Sequence, residues 1–324
     1  MAHNLKLNIW SLQFYDNSER NDKPLLSNLE VLNIINNSHQ DSLSKEEKFN
    51  NFIEVYVKSF NNRFINDKDR TKAFAYDDIG LLSKSNVIHG LIKGGITGIQ
   101  QEVFNIHSTE ETDKKIFFDE VSTLPYFFFF WLPVDSNVAY LMTQSYTSVS
   151  INEVFLQHFA KLFDTYNIRF NKASFVTKQR MDEFYRNSKV YKVSMFKSKI
   201  SRSARQKFNE AFVEEEKLKM NLTFSGFRVP VSRFFEKWSS IKTNLKDLNI
   251  ENENDYDIMV YYENEDGKKA SAPLSNHRLI MPSIPIPDSI KEDGVDYPDK
   301  QKILDFCKKE LLVIQNEIKY NPKS

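Results

Sequence analysis

Alternating apolar and polar positions open the chain and predict its first strand. Leu5, Leu7 and Ile9 alternate with polar residues, and the pattern continues to Phe14. The same reasoning predicts further strands at 87–92, 96–106, 115–118, 126–132 and 138–144, with turns at Gly94-Gly95 and at 135–137. A β-rich N-terminal part follows from this density of strands.

Apolar residues recur at helical spacing in two stretches, one among these strands and one after them. Ser44 and Glu47 have the spacing of a capping box, and the apolar positions that follow predict a helix to about Phe64. A second amphipathic stretch, 151–162, predicts a helix that leaves the strands. Both helices have one apolar face, so each is expected to pack on a sheet.

The second half of the sequence predicts shorter elements. Strands are expected at 168–173, 190–196, 222–229, 256–262 and 268–274, and helices at 178–185, 203–220, 231–245 and around 303–314. The proline-rich stretch 281–298 is typical of an extended loop. Strands and helices interleave without a regular βαβ rhythm, which predicts an α+β fold with mixed or antiparallel sheets and packed helices. We place two subdomains at 1–165 and 166–324.

Composition indicates the cellular compartment in which the protein is expected. The chain is 40% hydrophobic with 27 Phe and 14 Tyr, enough for a sizeable core. Its single cysteine, Cys307, excludes an intramolecular disulfide and favours a reducing compartment. The N-terminus lacks the apolar stretch of a signal peptide, and the apolar run 126–132 is too short to cross a bilayer. We therefore expect a cytoplasmic protein without direct membrane insertion.

Catalytic and metal-binding patterns are not found. The histidines do not form a ligand pair, His158 lies on the apolar side of a helix, and Cys307 lies in a helical apolar stripe. In the 90–98 cluster Lys93 precedes Gly94, Gly95 and Gly98, whereas a phosphate-binding loop has its lysine directly after the last glycine. We expect no catalytic residue, no cofactor and no metal. A divergent nuclease using Glu215 and Lys217 stays as a weaker alternative.

Charge is distributed unevenly along a chain whose formal net charge is zero. Residues 165–245 contain 18 Lys and Arg against 7 Asp and Glu, while both flanking parts are net acidic. Serines lie among these cations, and short hydroxyls suit phosphate oxygens. We predict that the phosphate contacts come from Lys192, Lys197, Lys199, Arg202, Arg205 and Lys207, helped by Arg169, Lys178 and Arg180.

Two interpretations of this basic segment stay open. Cations at a helix start oppose the helix dipole, and a bound polyanion would remove that cost. The alternative is a solvated face that pairs with the acidic C-terminal region. No zinc finger, basic zipper or RNP signature is present, so DNA binding is expected to be independent of sequence and steeply dependent on salt.

The order of elements from residue 125 onward resembles the RexA family, the cytoplasmic sensor of a phage-exclusion system. The similar stretches cover about the last 200 residues. They are 125–130, 138–144 with the helix from Ile151, 168–173, 177–185, 190–195, 257–262, Gly267 after Asp266, Ser-Ala-Pro-Leu at 271–274, and the final helix with Cys307.

This resemblance implies a non-enzymatic, homodimeric sensor that binds double-stranded DNA in bacterial anti-phage defence (phage exclusion or abortive infection). It also implies a membrane-embedded effector protein as partner. The chain also resembles the DNA-binding subunit of the Kiwa defence system. A protein-interaction adaptor without DNA binding is the alternative from another class.

Overall fold

A computed structural model describes residues 4–18, 24–37, 43–60, 63–69, 71–104, 111–147, 150–197, 202, 205–206, 209–214, 219–237, 256–263, 267, 269–275 and 284–320. The strands are β1 Leu5–Asp16, β2 Leu25–Leu26, β3 Ile65–Asn66, β4 Lys72–Leu82, β5 Val87–Ile96, β6 Gln101–Phe104, β7 Glu111–Ile116, β8 Ser122–Trp131, β9 Ala139–Tyr146, β10 Ile168–Ser174, β11 Lys189–Lys197, β12 Met220–Pro230, β13 Asp257–Glu263, β14 Lys269–Pro273 and β15 Ile284–Pro285. The α-helices are α1 Asn28–Ile35, α2 Lys45–Ser59, α3 Asn152–Asp164, α4 Lys178–Asn187, α5 Val231–Glu236 and α6 Lys300–Glu317.

The α+β class predicted from the sequence is confirmed, and every described strand pair is antiparallel. The chain forms two compact units. The first unit comprises residues 1–175 and 283–324, and the second unit comprises residues 176–282. This division differs from the predicted boundary at 165/166. Residues 283–324 rejoin the first unit because β15 pairs with β1 and α6 packs on β5 and β8.

The first unit is built on a nine-stranded sheet. Seven strands follow the order β10-β1-β9-β8-β5-β4-β3, while β2 and β15 pair with β1 outside this path. β6 and β7 form a separate two-stranded sheet. Aromatic side chains of α2 and α3 fill one side of the large sheet, where Phe130 contacts Phe52 and Phe159. The run predicted as a strand, 126–132, lies almost entirely in β8 and is buried throughout.

The predicted turn at Gly94-Gly95 is wrong, because β5 continues through both glycines to Ile96. A Cβ on Gly95 would lie 1.7 Å from the backbone oxygen of Ser122, and a Cβ on Gly90 would lie 2.1 Å from that of Asp78. These glycines allow neighbouring strands to approach closely, which is a recognised use of glycine within sheets. Two predicted strands, 87–92 and 96–106, are thus β5 and the shorter β6.

Of the other local predictions, one is confirmed, others differ in their bounds or content, and some lie largely outside the described residues. The capping box of α2 is confirmed: Ser44 accepts from the backbone of Glu47, whose side chain accepts from the Ser44 backbone. The strand predicted at 115–118 is β7, which lies earlier, at Glu111–Ile116. The proline-rich stretch contributes β15 and a short 3₁₀ turn. Much of the helices predicted at 203–220 and 231–245 lies outside the described residues.

The second unit is a four-stranded sheet in the order β12-β11-β13-β14. Its apolar core lies on the side where Phe184 of α4 and Phe234 of α5 pack. Val193 of β11 and Val260 of β13 are register partners on this side, and both are buried. We call this side the inner face, and the opposite side the outer face.

None of the described helices combines the length and the apolar character needed to cross a bilayer.

Candidate nucleic-acid interface

A bulge in β11 decides which side chains reach the outer face. The pairing of β11 with both neighbours shifts between Val190 and Lys192. Opposite this point β12 contains Gly226, whose φ of 88° lies in the left-handed region that glycine adopts without strain. Val190 and Val193 are both in the inner core, so Tyr191 and Lys192 lie together on the outer face.

Lysines lie over tyrosine rings on this outer face. The Lys192 ammonium is 3.8 Å from the ring centroid of Tyr261, its register partner on β13. The Lys269 ammonium is 5.4 Å from the ring centroid of Tyr191. The two rings are themselves neighbours, with centroids 6.3 Å apart. The four side chains thus form one connected cluster across β11, β13 and β14, which we call the lysine–tyrosine cluster.

The cluster is accessible, and short hydroxyl side chains surround it. Tyr191 and Tyr261 are partly exposed. Ser225 of β12 pairs with Lys192, and Ser271 of β14 pairs with Tyr261; both serines are exposed. Thr223, also exposed, is 3.1 Å through its Oγ1 from the Oγ of buried Ser194. Hydroxyls in these positions suit phosphate oxygens and base edges.

Cations outnumber carboxylates on the outer face. Strand alternation assigns it Lys189, Lys192, Arg228 and Lys269 against Asp257 and Glu263. Glu263 pairs with Arg228 at 3.1 Å. Neither Lys192 nor Lys269 forms an ion pair with a carboxylate of the described residues. A tyrosine ring holds an ammonium without cancelling its charge, so the cluster presents two positive charges.

The predicted site residues do not all share this face. Lys192 belongs to the cluster, whereas alternation beyond the bulge turns Lys197 to the inner side, where its ammonium is 5.1 Å from the Tyr256 ring centroid. Lys178 is exposed and Arg180 partly exposed on α4, the helix that packs on the inner face. The structure therefore separates Lys192 from these three residues.

Two arginines of the predicted set lie in the segment between β11 and β12. Arg202 is exposed, and its Nη2 donates to Oε1 of Glu214 at 2.7 Å. The Nε and Nη1 atoms of Arg205 are buried and have no hydrogen-bond partner among the described residues. Arg202 is thus already paired with a carboxylate in this conformation.

The remaining predicted residues fall elsewhere. Arg169 belongs to β10 of the first unit and lies 3.6 Å from Asp164. Lys199 and Lys207 lie outside the described residues, as do Glu215 and Lys217 of the nuclease alternative.

Sequence reasoning missed Tyr191, Tyr261 and Lys269. A signal was present in the strand predicted at 256–262, where Tyr261 takes a polar position between apolar residues. Tyr261 becomes part of the candidate site because Lys192 lies over its ring, and the pairing of β11 with β13 that places Lys192 there cannot be read from the sequence.

Buried titratable groups lie in the first unit and support packing. His158 lies between Phe60 and Phe74, with Nε2 3.0 Å from Ser59 Oγ, and burial lowers its pKa to about 4. Burial also lowers the pKa of His89 to about 4 and raises the pKa of the Cys307 thiol well above its usual value. His158 and Cys307 are both buried, as their positions on the apolar sides of helices predict. The described residues contain no group of three His, Cys, Asp or Glu arranged to hold a metal.

No protein-family model matches the chain, and no curated protein sequence matches it either. The resemblance to the RexA family therefore stays a hypothesis that rests on the stretches quoted for it.

Proposed function

We propose that this chain binds DNA through its second unit, by contacts to the phosphate backbone and without sequence preference. The observation that carries the proposal is the lysine–tyrosine cluster. Lys192 and Lys269 keep their positive charges on an accessible face, beside exposed hydroxyls and without carboxylate partners in the described residues. Phosphate oxygens are the ligands that such an arrangement suits, since lysine binds them as a point charge.

The charge of the whole second unit supports this proposal. Residues 176–282 contain 20 Lys and Arg against 15 Asp and Glu, whereas the rest of the chain contains 24 against 29. The excess charge will attract a polyanion to the second unit before any specific contact forms. Lys197, Lys199, Arg202, Arg205 and Lys207 stay proposed contacts from the sequence alone. Lys197 lies on the inner side and Arg202 pairs with Glu214, so neither adds to the cluster on the outer face.

The biological setting that we propose comes from the RexA and Kiwa resemblance. In this setting the chain is a cytoplasmic, non-enzymatic sensor of bacterial anti-phage defence. It acts as a homodimer on double-stranded DNA and signals to a membrane-embedded effector. An adaptor that docks an acidic protein remains the competing function, and the absence of DNA affinity would favour it.

The test is fluorescence anisotropy with two duplexes of unrelated sequence across a salt series. The cluster variant carries Lys192→Ala and Lys269→Ala, and a segment variant carries Lys197→Ala, Arg202→Ala and Arg205→Ala. Removing one phosphate contact should flatten the log–log salt slope by about 0.9. We expect the cluster variant to flatten the slope by nearly twice this value, equally for both duplexes.

A matched control removes two exposed lysines of the first unit, Lys84→Ala and Lys309→Ala. This variant loses the same charge and should bind as the wild type does. No binding at low salt would refute the proposed function. An equal loss in the control would show that total charge, rather than the second unit, determines affinity.

A further inference from the structure

We infer that the outer face is a platform on which the bases of single-stranded nucleic acid stack, with Tyr191 and Tyr261 as the stacking rings. This inference rests on the proposed function and goes further, since it names the form of the ligand and the side chains that contact its bases. It uses residues that the predicted site did not include.

The two rings lie side by side on the surface that would receive the bases. They lie on neighbouring strands, with centroids 6.3 Å apart and planes inclined by 62°, and both are partly exposed. Phe196 lies farther along β11 on the same face and is also partly exposed. Sheets that bind single strands present aromatic side chains in this manner, because every base has a face that can stack.

In the free protein the two lysines cover the tyrosine rings, and a bound base would take their place. Lys192 covers the Tyr261 ring at 3.8 Å, and Lys269 lies over Tyr191 at 5.4 Å. At a partly exposed site the cation–π contact of a lysine is weaker than the stacking of a base on the same ring. An arriving base will therefore displace the ammonium, and the flexible side chain will then contact the adjacent phosphate.

The arrangement distinguishes single strands from duplexes. In a duplex the base faces are stacked on one another, so the rings on a sheet surface cannot reach them. A single strand presents both bases and phosphates to one face. Exposed Ser225 and Ser271, the register partners of Lys192 and Tyr261, then lie beside the cluster, where they can donate to base edges or phosphates. The ligand that suits the whole face is thus a single strand.

The experiment compares three labelled 20-nucleotide ligands at one salt concentration: single-stranded oligothymidine, a duplex and an abasic single strand with the same phosphates. The test variant carries Tyr191→Leu and Tyr261→Leu, which keeps apolar bulk but removes the rings. The matched control carries Tyr191→Phe and Tyr261→Phe, which keeps the rings. Circular dichroism melts check that each variant is folded, and RNA of the same length is tested in parallel.

We expect the wild type to bind oligothymidine more tightly than the duplex or the abasic strand. The Leu variant should lose about tenfold in affinity for each ring on oligothymidine only, while the Phe variant should bind normally. Equal binding of the abasic strand, or an unchanged Leu variant, would overturn the platform while leaving the proposed function intact. Absence of binding to the duplex at low salt would refute the proposed function itself, even if the single strand binds. Binding of an acidic peptide that the Leu variant alone loses would point to a protein ligand instead.

Discussion

The central strands of the two sheets differ in how they use aromatic residues. β8 of the first unit is buried from Tyr126 to Trp131, and β9 is buried along its whole length. β13 of the second unit instead alternates buried and partly exposed residues from Ile258 to Glu263. In β8 the rings contribute to a core; on the outer face Tyr261 contacts a lysine and solvent. The same residue class is therefore enclosed in the core of one sheet and partly exposed on the surface of the other.

Truncating one ring in each sheet gives the largest expected contrast. Phe130→Ala removes a fully buried ring that contacts Phe52 and Phe159, and it should lower the free energy of unfolding by about 3–5 kcal/mol. Tyr261→Ala removes a partly exposed ring together with its contacts to Lys192 and to the Tyr191 ring, so its cost should be about 1 kcal/mol. Urea denaturation measures both, and equal costs would abolish the contrast.

Acid should destabilise the first unit through two buried histidines of its described residues. His89 and His158 have a folded-state pKa of about 4, below the ordinary value of 6.5, because burial disfavours the charged ring. The unfolded chain therefore binds more protons between these values. Stability is complete above about pH 6.5 and is lost as the pH falls towards 4. We expect a loss of about 2 kcal/mol from pH 7 to pH 5.5.

Denaturation at several pH values measures this loss, and hydrogen exchange assigns it to one unit. His158→Phe, which keeps a ring beside Phe60 and Phe74, should remove about half of the pH dependence. A stability that is level from pH 7 to pH 5.5 in the wild type would contradict the assignment.

Helix caps give the smallest contrast between the units. Ser44→Ala removes the capping box of α2 and should cost about 1 kcal/mol. Thr177 takes the equivalent position in α4, but its Oγ1 is buried and has no hydrogen-bond partner in the described residues. Thr177→Val should therefore be neutral or slightly stabilising. Thermal melts of both variants measure this difference, and a destabilised Thr177→Val would show that the hydroxyl has a partner.

Much of the fold was predictable because local patterns determine it. The apolar run at 126–132 indicates a strand buried on both faces, and Ser44 with Glu47 indicates a helix start. The return of β15 to β1 was not predictable, since a two-residue strand has no periodicity. The Gly94-Gly95 turn was wrong because glycine permits close strand approach as well as turns, and sequence alone does not distinguish these uses.

The candidate site was less predictable for a specific physical reason. Strict alternation from Val190 would put Lys192 on the inner side. The bulge reverses every later position of β11, so that Lys192 reaches the outer face and Lys197 does not. A count of charges along the segment identified a basic region of the chain, but it could not assign those charges to faces.

The pairing of β10 and β15 with β1 determines where the second unit could be separated from the first. β10 ends where Phe175 donates its N–H to Ile9, and the chain returns where Ile284 pairs with Leu7. The departure and return points are two residues apart along β1, about 7 Å at the rise of a strand. The segment between them thus has the topology of a domain inserted into a loop. A short linker from Phe175 to Ile284 would close the first sheet, so residues 176–282 could be removed or replaced as one unit.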